Sequence, residues 1–270
     1  MRAARLSSPQ ALRLLLKNGA NINAQHLHGH TASLYAAEYG SAECLEILAS
    51  GDADLERVGD TGIHPPFGAI SNGHTRCIEI VLQHKPRLVH TTWQQMKPLY
   101  VAALNNHPEI LRCLVQYGAD IDAYTDTPGK LRTALHLAMT EQNSDAVSML
   151  LALGANAIKP TEDGQIMPLR LNPLQLASRE GASADVLRAL VQAKGVDINA
   201  PTFPGHQPLA LAVRRNHIET VRTLIDLGAN FTSLRLDTKT DASSASSLYL
   251  EATQKGFHEV AKMLKDAGGG

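Results

Sequence analysis

The 270-residue sequence predicts an all-α repeat solenoid of stacked helix-turn-helix units, and three observations carry the prediction. A stop of Gly-Ala followed by Asp or Asn recurs at the ends of apolar runs. A second landmark, built around a small or polar residue, often Pro, and an alanine, recurs in phase with it. The composition is 44% apolar but only 4% aromatic, which fits small packing units filled by Leu, Ala, Val and Ile better than one deep globular core.

The stops read GANIN from Gly19, GADID from Gly118, GANA from Gly154 and GANF from Gly228, with GVDIN from Gly195 as a near copy. They follow the runs LRLLLKN, ILRCLVQY, VSMLLAL, VLRALVQAK and VRTLIDL. Each run places large aliphatics at i, i+3 and i+4, as one face of a helix requires, and the glycine stands where a helix takes a left-handed stop. The second landmark reads TASLYAA from Thr31, HPPFGAI from His64, KPLYVAA from Lys97, TALHLAM from Thr133, NPLQLAS from Asn172 and QPLALAV from Gln207. The starts are 33, 33, 36, 39 and 35 residues apart. SLYLEAT from Ser247 is a weaker seventh copy, uncertain in register by one residue.

These strings resemble the ankyrin repeat, whose signature is close to TPLHxA on a period near 33 residues. TALHLAM is the nearest match, and the resemblance covers the whole chain as about seven full repeats after a partial one. It implies stacked helix pairs joined by β-hairpin fingers, in one solenoid over 1–270. The approximate repeats are 1–25 (partial), 26–58, 59–91, 92–125, 126–160, 161–200, 201–233 and 234–270. Departures from the signature are Pro66 at the leucine position, Lys85-Pro86-Arg87 in place of a stop, and insertions before Thr133, Asn172 and Ser247. Met1 to Arg5 can supply only the end of a first helix, so the chain is either part of a longer protein or carries an incomplete N-terminal cap.

Each helix in such a unit is too short to hold alone, because nucleation is costly, so the units must stack. A Thr or its substitute caps each first helix, and proline in the first turn costs little, its missing N–H having no partner there. The column Ala36, Ala69, Ala102, Ala138, Ala177 and Ala212 lets first helices approach closely. The column Leu48, Val81, Leu114, Leu150, Leu190, Leu224 and Leu264 zips the second helices together. Since repeats touch only neighbours, Lys85-Pro86-Arg87 either weakens one junction or, as helix-ending proline favours, provides an alternative C-cap.

With 25 basic and 26 acidic residues, the chain has no strong field to recruit nucleic acid. It opens on no leader-like segment and contains no apolar run near the roughly 20 residues of a membrane helix. Cys44, Cys77 and Cys113 lie without CxxC spacing in apolar helical patterns and read as free buried thiols. The expected setting is the cytoplasm, with the nucleus as the alternative, and the expected state a monomer with neither nucleic-acid nor membrane partner.

Catalytic patterns are weak. There is no GxSxG, Walker-type loop or GxGxxG after a strand, and Glu162–Asp163 is a carboxylate pair on an inserted loop, read as solvated. His136, at the TPLH position, is structural on the resemblance. HLHGH, with His26, His28 and His30 on alternate positions, could clip a metal, but no Cys or acidic residue lies close in sequence to complete a ligand set. Its phase places it on a finger tip, with Gly29 as the turn glycine.

The resemblance therefore implies a non-catalytic scaffold or adaptor, without cofactor, that binds a partner protein on its concave face and fingers. An ankyrin-fold enzyme or metal protein using His26, His28 and His30 is the alternative. The candidate contacts are Tyr39, Trp93, Met96 and Leu104 in an apolar half, and Arg179, Arg214 and Arg215 in a basic half that fits an acidic segment, with Lys130, Arg132 and Arg170 nearby. Trp, Tyr and Arg dominate interface energies most often.

Overall fold

A computed structural model describes residues 1–60, 62–125, 131–161, 170–200, 206–230 and 244–269. Lys130, Glu162 and Asp163 lie outside them. The chain forms two compact units, Met1–Thr127 and Pro128–Gly270.

In the first unit the helices are α1 (Arg2–Arg5), α2 (Pro9–Lys17), α3 (Ala32–Glu38), α4 (Ala42–Ser50), α5 (Pro65–Ser71), α6 (Thr75–His84), α7 (Pro98–Leu104) and α8 (Pro108–Gln116), with a 3-10 turn at Pro86–His90. The second holds α9 (Ala134–Thr140), α10 (Ser144–Ala152), α11 (Pro173–Glu180), α12 (Ala184–Gln192), α13 (Pro208–Arg214), α14 (Ile218–Asp226), α15 (Ser244–Gln254) and α16 (His258–Leu264). Each pair is a hairpin, and the pairs stack in order: α3 on α5 on α7 and α4 on α6 on α8, then α9 on α11 on α13 and α10 on α12 on α14. None of the described helices is long and apolar enough to cross a membrane.

Both predicted columns form the core. Ala36, Ala69, Ala102, Ala138 and Ala212 are wholly buried and Ala177 is nearly so. Ala252 is buried as well, which fixes the register of SLYLEAT at Ser247. Leu48, Val81, Leu114, Leu150, Leu190, Leu224 and Leu264 are each buried to within about a percent. Burying one such side chain is worth roughly 1.5–3 kcal/mol, less than the roughly 4 kcal/mol that nucleating a helix costs, so each short helix depends on burying several side chains against its neighbours. Gly154, φ +94°, exemplifies the left-handed stop that ends the second helices.

Hydroxyl capping is less general than the pattern implies. The Thr31 side chain accepts from the Leu34 N–H, and Thr133 and Asn172 form full capping boxes with His136 and Gln175. His64, Lys97 and Gln207 cap nothing with their side chains. At His64 and Lys97 the residue's own carbonyl takes the N–H that a capping side chain would meet, from Phe67 and Tyr100, both at 3.0 Å.

The Lys85-Pro86-Arg87 junction takes the C-cap form. The Lys85 N–H closes on the Val81 carbonyl at 2.8 Å, and Pro86 opens the 3-10 turn. That turn buries Leu88 and Val89, and Arg87 pairs with Glu56. Between repeats, the Asn23 side chain accepts from the Asp54 N–H at 2.8 Å, and Asn199 does the same for Asn230 at 2.7 Å. The described fingers are hydrogen-bonded turns: Trp93 and Met96 form an isolated β-bridge, and Leu131 is a further bridge residue.

Candidate functional site

The finger between α6 and α7 is a two-residue turn. Gln94 and Gln95 both have positive φ, +51° and +63°, the mirror-image geometry that joins strands with a right-handed twist. Trp93 and Met96 exchange both N–H to carbonyl bonds at 2.9 Å. The half-buried indole is tilted 52° against Phe67 of the preceding repeat, ring centres 5.8 Å apart. Trp93 is thus positioned by another repeat as well as by its own turn. Met96 is half-buried beside it in the bridge.

Tyr39 ends α3 and is 50% exposed, with the Arg5 guanidinium 5.9 Å above its ring. Leu104, the last residue of α7, is half-buried. In the second unit, Arg179 donates to Glu180 from Nε and Nη2 at 2.9 and 2.7 Å, and its side chain is only 18% exposed. Arg214 meets Glu251 at 3.3 Å, and Lys255 meets the same carboxylate at 2.9 Å. Burial raises the Glu251 pKa, but the Lys255 hydrogen bond and the Arg214 charge outweigh it and hold the carboxyl below its usual value. Arg215 is exposed and has no ion pair among the described residues.

The sequence pattern gave no role to His74, His107 and His217, each of which directly precedes a second helix. His74 Nε2 meets the Glu38 carbonyl at 3.1 Å and His217 Nε2 the Arg179 carbonyl at 3.0 Å. A carbonyl can only accept, so these nitrogens are the protonated ones. The rings lie over Gly40 and Gly181 so closely that a Cβ there would sit 2.7 Å from Nδ1. Each clasp ties a second helix to the C-terminal end of the first helix of the preceding repeat, α3 at Glu38 and α11 at Arg179. His107 lies over Gly73 in the same way, though its buried Nε2 has no hydrogen-bond partner. The signal for these residues was recurrence in phase, His74 and His107 being one 33-residue period apart.

HLHGH is a closed turn: the His26 N–H donates to the His30 carbonyl at 2.8 Å and the Gly29 N–H to the His26 carbonyl at 2.9 Å. Its ring centres are 5.9 Å apart from His26 to His28 and 6.5 Å from His28 to His30. The next finger covers it, since the Asp60 N–H bonds the His28 carbonyl at 3.0 Å and a Cβ on Gly59 would meet the His30 ring at 2.5 Å. No group of three or more His, Cys, Asp or Glu is placed to hold a metal among the described residues.

His136 is wholly buried. Nδ1 accepts from the Thr133 N–H at 3.2 Å and lies 2.8 Å from its hydroxyl. Burial, and then the charge of Arg132, push its pKa down to about 3, while a contact with the Lys159 backbone acts weakly the other way; no hydrogen bond of normal geometry forms at Nε2. The Cys77 and Cys113 thiols are buried and pushed up to about 11, chiefly by desolvation.

The family model for ankyrin repeats (3 copies) matches residues 1–88, 52–125, 67–163, 158–235 and 174–269. Dog inversin is 23% identical over 216 residues, 78% of this chain and 19% of that protein. The probable E3 ubiquitin-protein ligase XBOS32 of rice is 29% identical over 180 residues, 62% of this chain and 33% of that protein. The chain thus spans a third or less of these relatives. The crystal structure of the human ASB11 ankyrin repeat domain superposes with a TM-score of 0.65 at 24% identity, covering 85% of this chain and 97% of that one.

Proposed function

The chain belongs to the ankyrin-repeat family, and from that premise we propose that it is a non-catalytic scaffold or adaptor whose partner docks on the concave first-helix face and the fingers. Ankyrin repeats are in general protein-interaction modules, and a stack of neighbours offers extended surface rather than a reactive cleft. The observation that carries the reading is Trp93. It is a half-buried indole on a two-residue turn, held in one orientation by Phe67. A pre-positioned aromatic loses little freedom on binding, which is what an interface anchor requires.

Tyr39, Met96 and Leu104 extend an apolar contact in the first unit. In the second, Arg179 and Arg214 are engaged with Glu180 and Glu251, so an acidic segment of the partner is met first by Arg215. The cytoplasm is the expected setting and a monomer the expected state. Nothing in the arrangement of His26, His28 and His30 favours an enzyme or a metal protein.

The test is affinity capture with the wild-type chain and with Trp93→Ala and Arg215→Glu variants, each checked for an unchanged thermal midpoint. Loss of the captured partner with Trp93→Ala, and weaker capture with Arg215→Glu, is the expected result. Capture that is undiminished by Trp93→Ala removes the anchor.

A further inference from the structure

We propose that the chain carries a small-molecule site between the repeats of α6 and α8, and that its ligand is a zwitterion with an apolar side chain, the chemistry of a free α-amino acid. The inference goes beyond the protein-binding reading and uses none of its residues.

A bond that stitches repeats together elsewhere is missing at this junction. The Asn23 and Asn199 side chains each accept the backbone N–H of the residue 31 positions on, Asp54 and Asn230. The same spacing sets Val89 against Asp120. Val89 is an apolar residue of the 3-10 turn with no side-chain acceptor to offer, and the Asp120 N–H has no partner among the described residues. Both residues line a cavity of about 300 Å³, at the small end of the range for ligand sites.

The cavity has an apolar floor and a rim of both charges. Val89, Leu99 and Tyr100 form the floor, each at most 3% exposed. The Tyr100 hydroxyl donates to the Tyr124 carbonyl at 2.7 Å, which spends its polar tip and fixes the ring. The Lys97 ammonium, also of the lining, stands 5.8 Å from the centre of that ring. An ammonium has three donors, so it can meet a ligand oxygen in addition to its other contacts. Asp120 and His90 are the exposed rim groups. One Asp120 oxygen accepts from the Asp122 N–H at 3.0 Å; the other meets no donor among the described residues. A ligand carboxylate then takes the Asp120 N–H and the Lys97 ammonium, its α-ammonium takes the Asp120 carboxylate, and its side chain lies on the floor. A simple anion would face the Asp120 charge uncompensated, and a simple cation the Lys97 charge, so a molecule with both signs is the complement.

The other repeats supply conservative variants. Val89→Asn installs the residue type of Asn23 and Asn199, and Asp120→Asn that of Asn21 and Asn156, whose side chains hold the same turn. Lys97→Gln installs that of Gln207, which stands before α13 as Lys97 stands before α7. The experiment is a ligand-observed NMR titration of the whole purified chain with free leucine and free phenylalanine. At least one should bind saturably, with glycine, N-acetylleucine and leucinamide each at least about fivefold weaker. Each variant should weaken the bound amino acid by a similar factor, Asp120→Asn and Lys97→Gln with unchanged thermal midpoints, and Trp93→Ala should leave binding intact. Absence of saturable binding by either amino acid overturns the proposal, as does glycine, N-acetylleucine or leucinamide binding as tightly. So does full affinity in Asp120→Asn or Lys97→Gln, which sit at the rim and decide the matter even if Val89→Asn lowers the midpoint. Capture of a protein through Trp93 is judged by its own variant, whatever the outcome here.

Discussion

Replacing His136 with glutamine should remove part of the acid sensitivity of the fold. His136 is wholly buried with its Nδ1 accepting from the Thr133 N–H, so protonating that nitrogen would set a donor against a donor. Its pKa falls from 6.5 to about 3. As pH drops below 6.5 the unfolded chain takes up a proton that the folded chain refuses, so stability is lost progressively between about 6.5 and 3 and is fully present above that window. At pH 5.5 the unfolded imidazole is about ten times more protonated than not, which corresponds to a penalty of about 1.4 kcal/mol. Glutamine is the conservative choice because Gln175 occupies the same place one repeat later, accepting from the Asn172 N–H at 3.0 Å in an identical capping box. Urea denaturation of both proteins at pH 7.5 and 5.5 provides the measurement, and the other histidines cancel in the difference. The wild type should lose about 1–1.5 kcal/mol more than His136→Gln. Equal losses would refute the link between the cap and the titration.

Gly40→Ala should cost about 2–4 kcal/mol, combining a left-handed φ of +71° with a Cβ 2.7 Å from His74 Nδ1. Combining it with His74→Ala should be less than additive, and strict additivity in urea titrations would rule out the clash. Ala102→Leu should destabilise by about 1–3 kcal/mol because the wholly buried alanine sits where α5 and α7 meet; an unchanged denaturation midpoint would show slack in that column. With thiols buried and pushed up to about 11, Cys77 and Cys113 should resist a disulfide reagent at pH 7.5 until denaturant is added. Rapid native labelling of either would contradict their burial.

The stack was legible because its signals are periodic and local. An aliphatic at i, i+3 and i+4 says which helix face is buried, and a recurring alanine says where helices come close. Caps were less so, since Lys97 and Gln207 fall at the capping position without a side-chain cap, and at Lys97 the backbone carbonyl takes the Tyr100 N–H instead. The histidine clasps were hidden for another reason. His74 and Glu38 are 36 residues apart, and their bond exists only once two repeats have stacked. For the surface, Glu180 beside Arg179 is legible as a partner, but Arg214 looks free until Glu251, 37 residues on, is folded beside it. In the same way Trp93 could pack on its own hairpin or stand free, and contact with Phe67 emerges only from the neighbouring repeat.

The turn at Gln94 and Gln95 makes its finger sensitive to length rather than to lettering. Both glutamines are exposed, so other residues that accept a positive φ can replace them. One residue more or fewer between Trp93 and Met96 is a different matter, because a single-residue slip turns every side chain of an extended segment to its opposite side. The indole would then leave Phe67 and face solvent while every helix stayed in place. Insertions and deletions at this tip are therefore expected to move the indole off Phe67 without unpacking the helices.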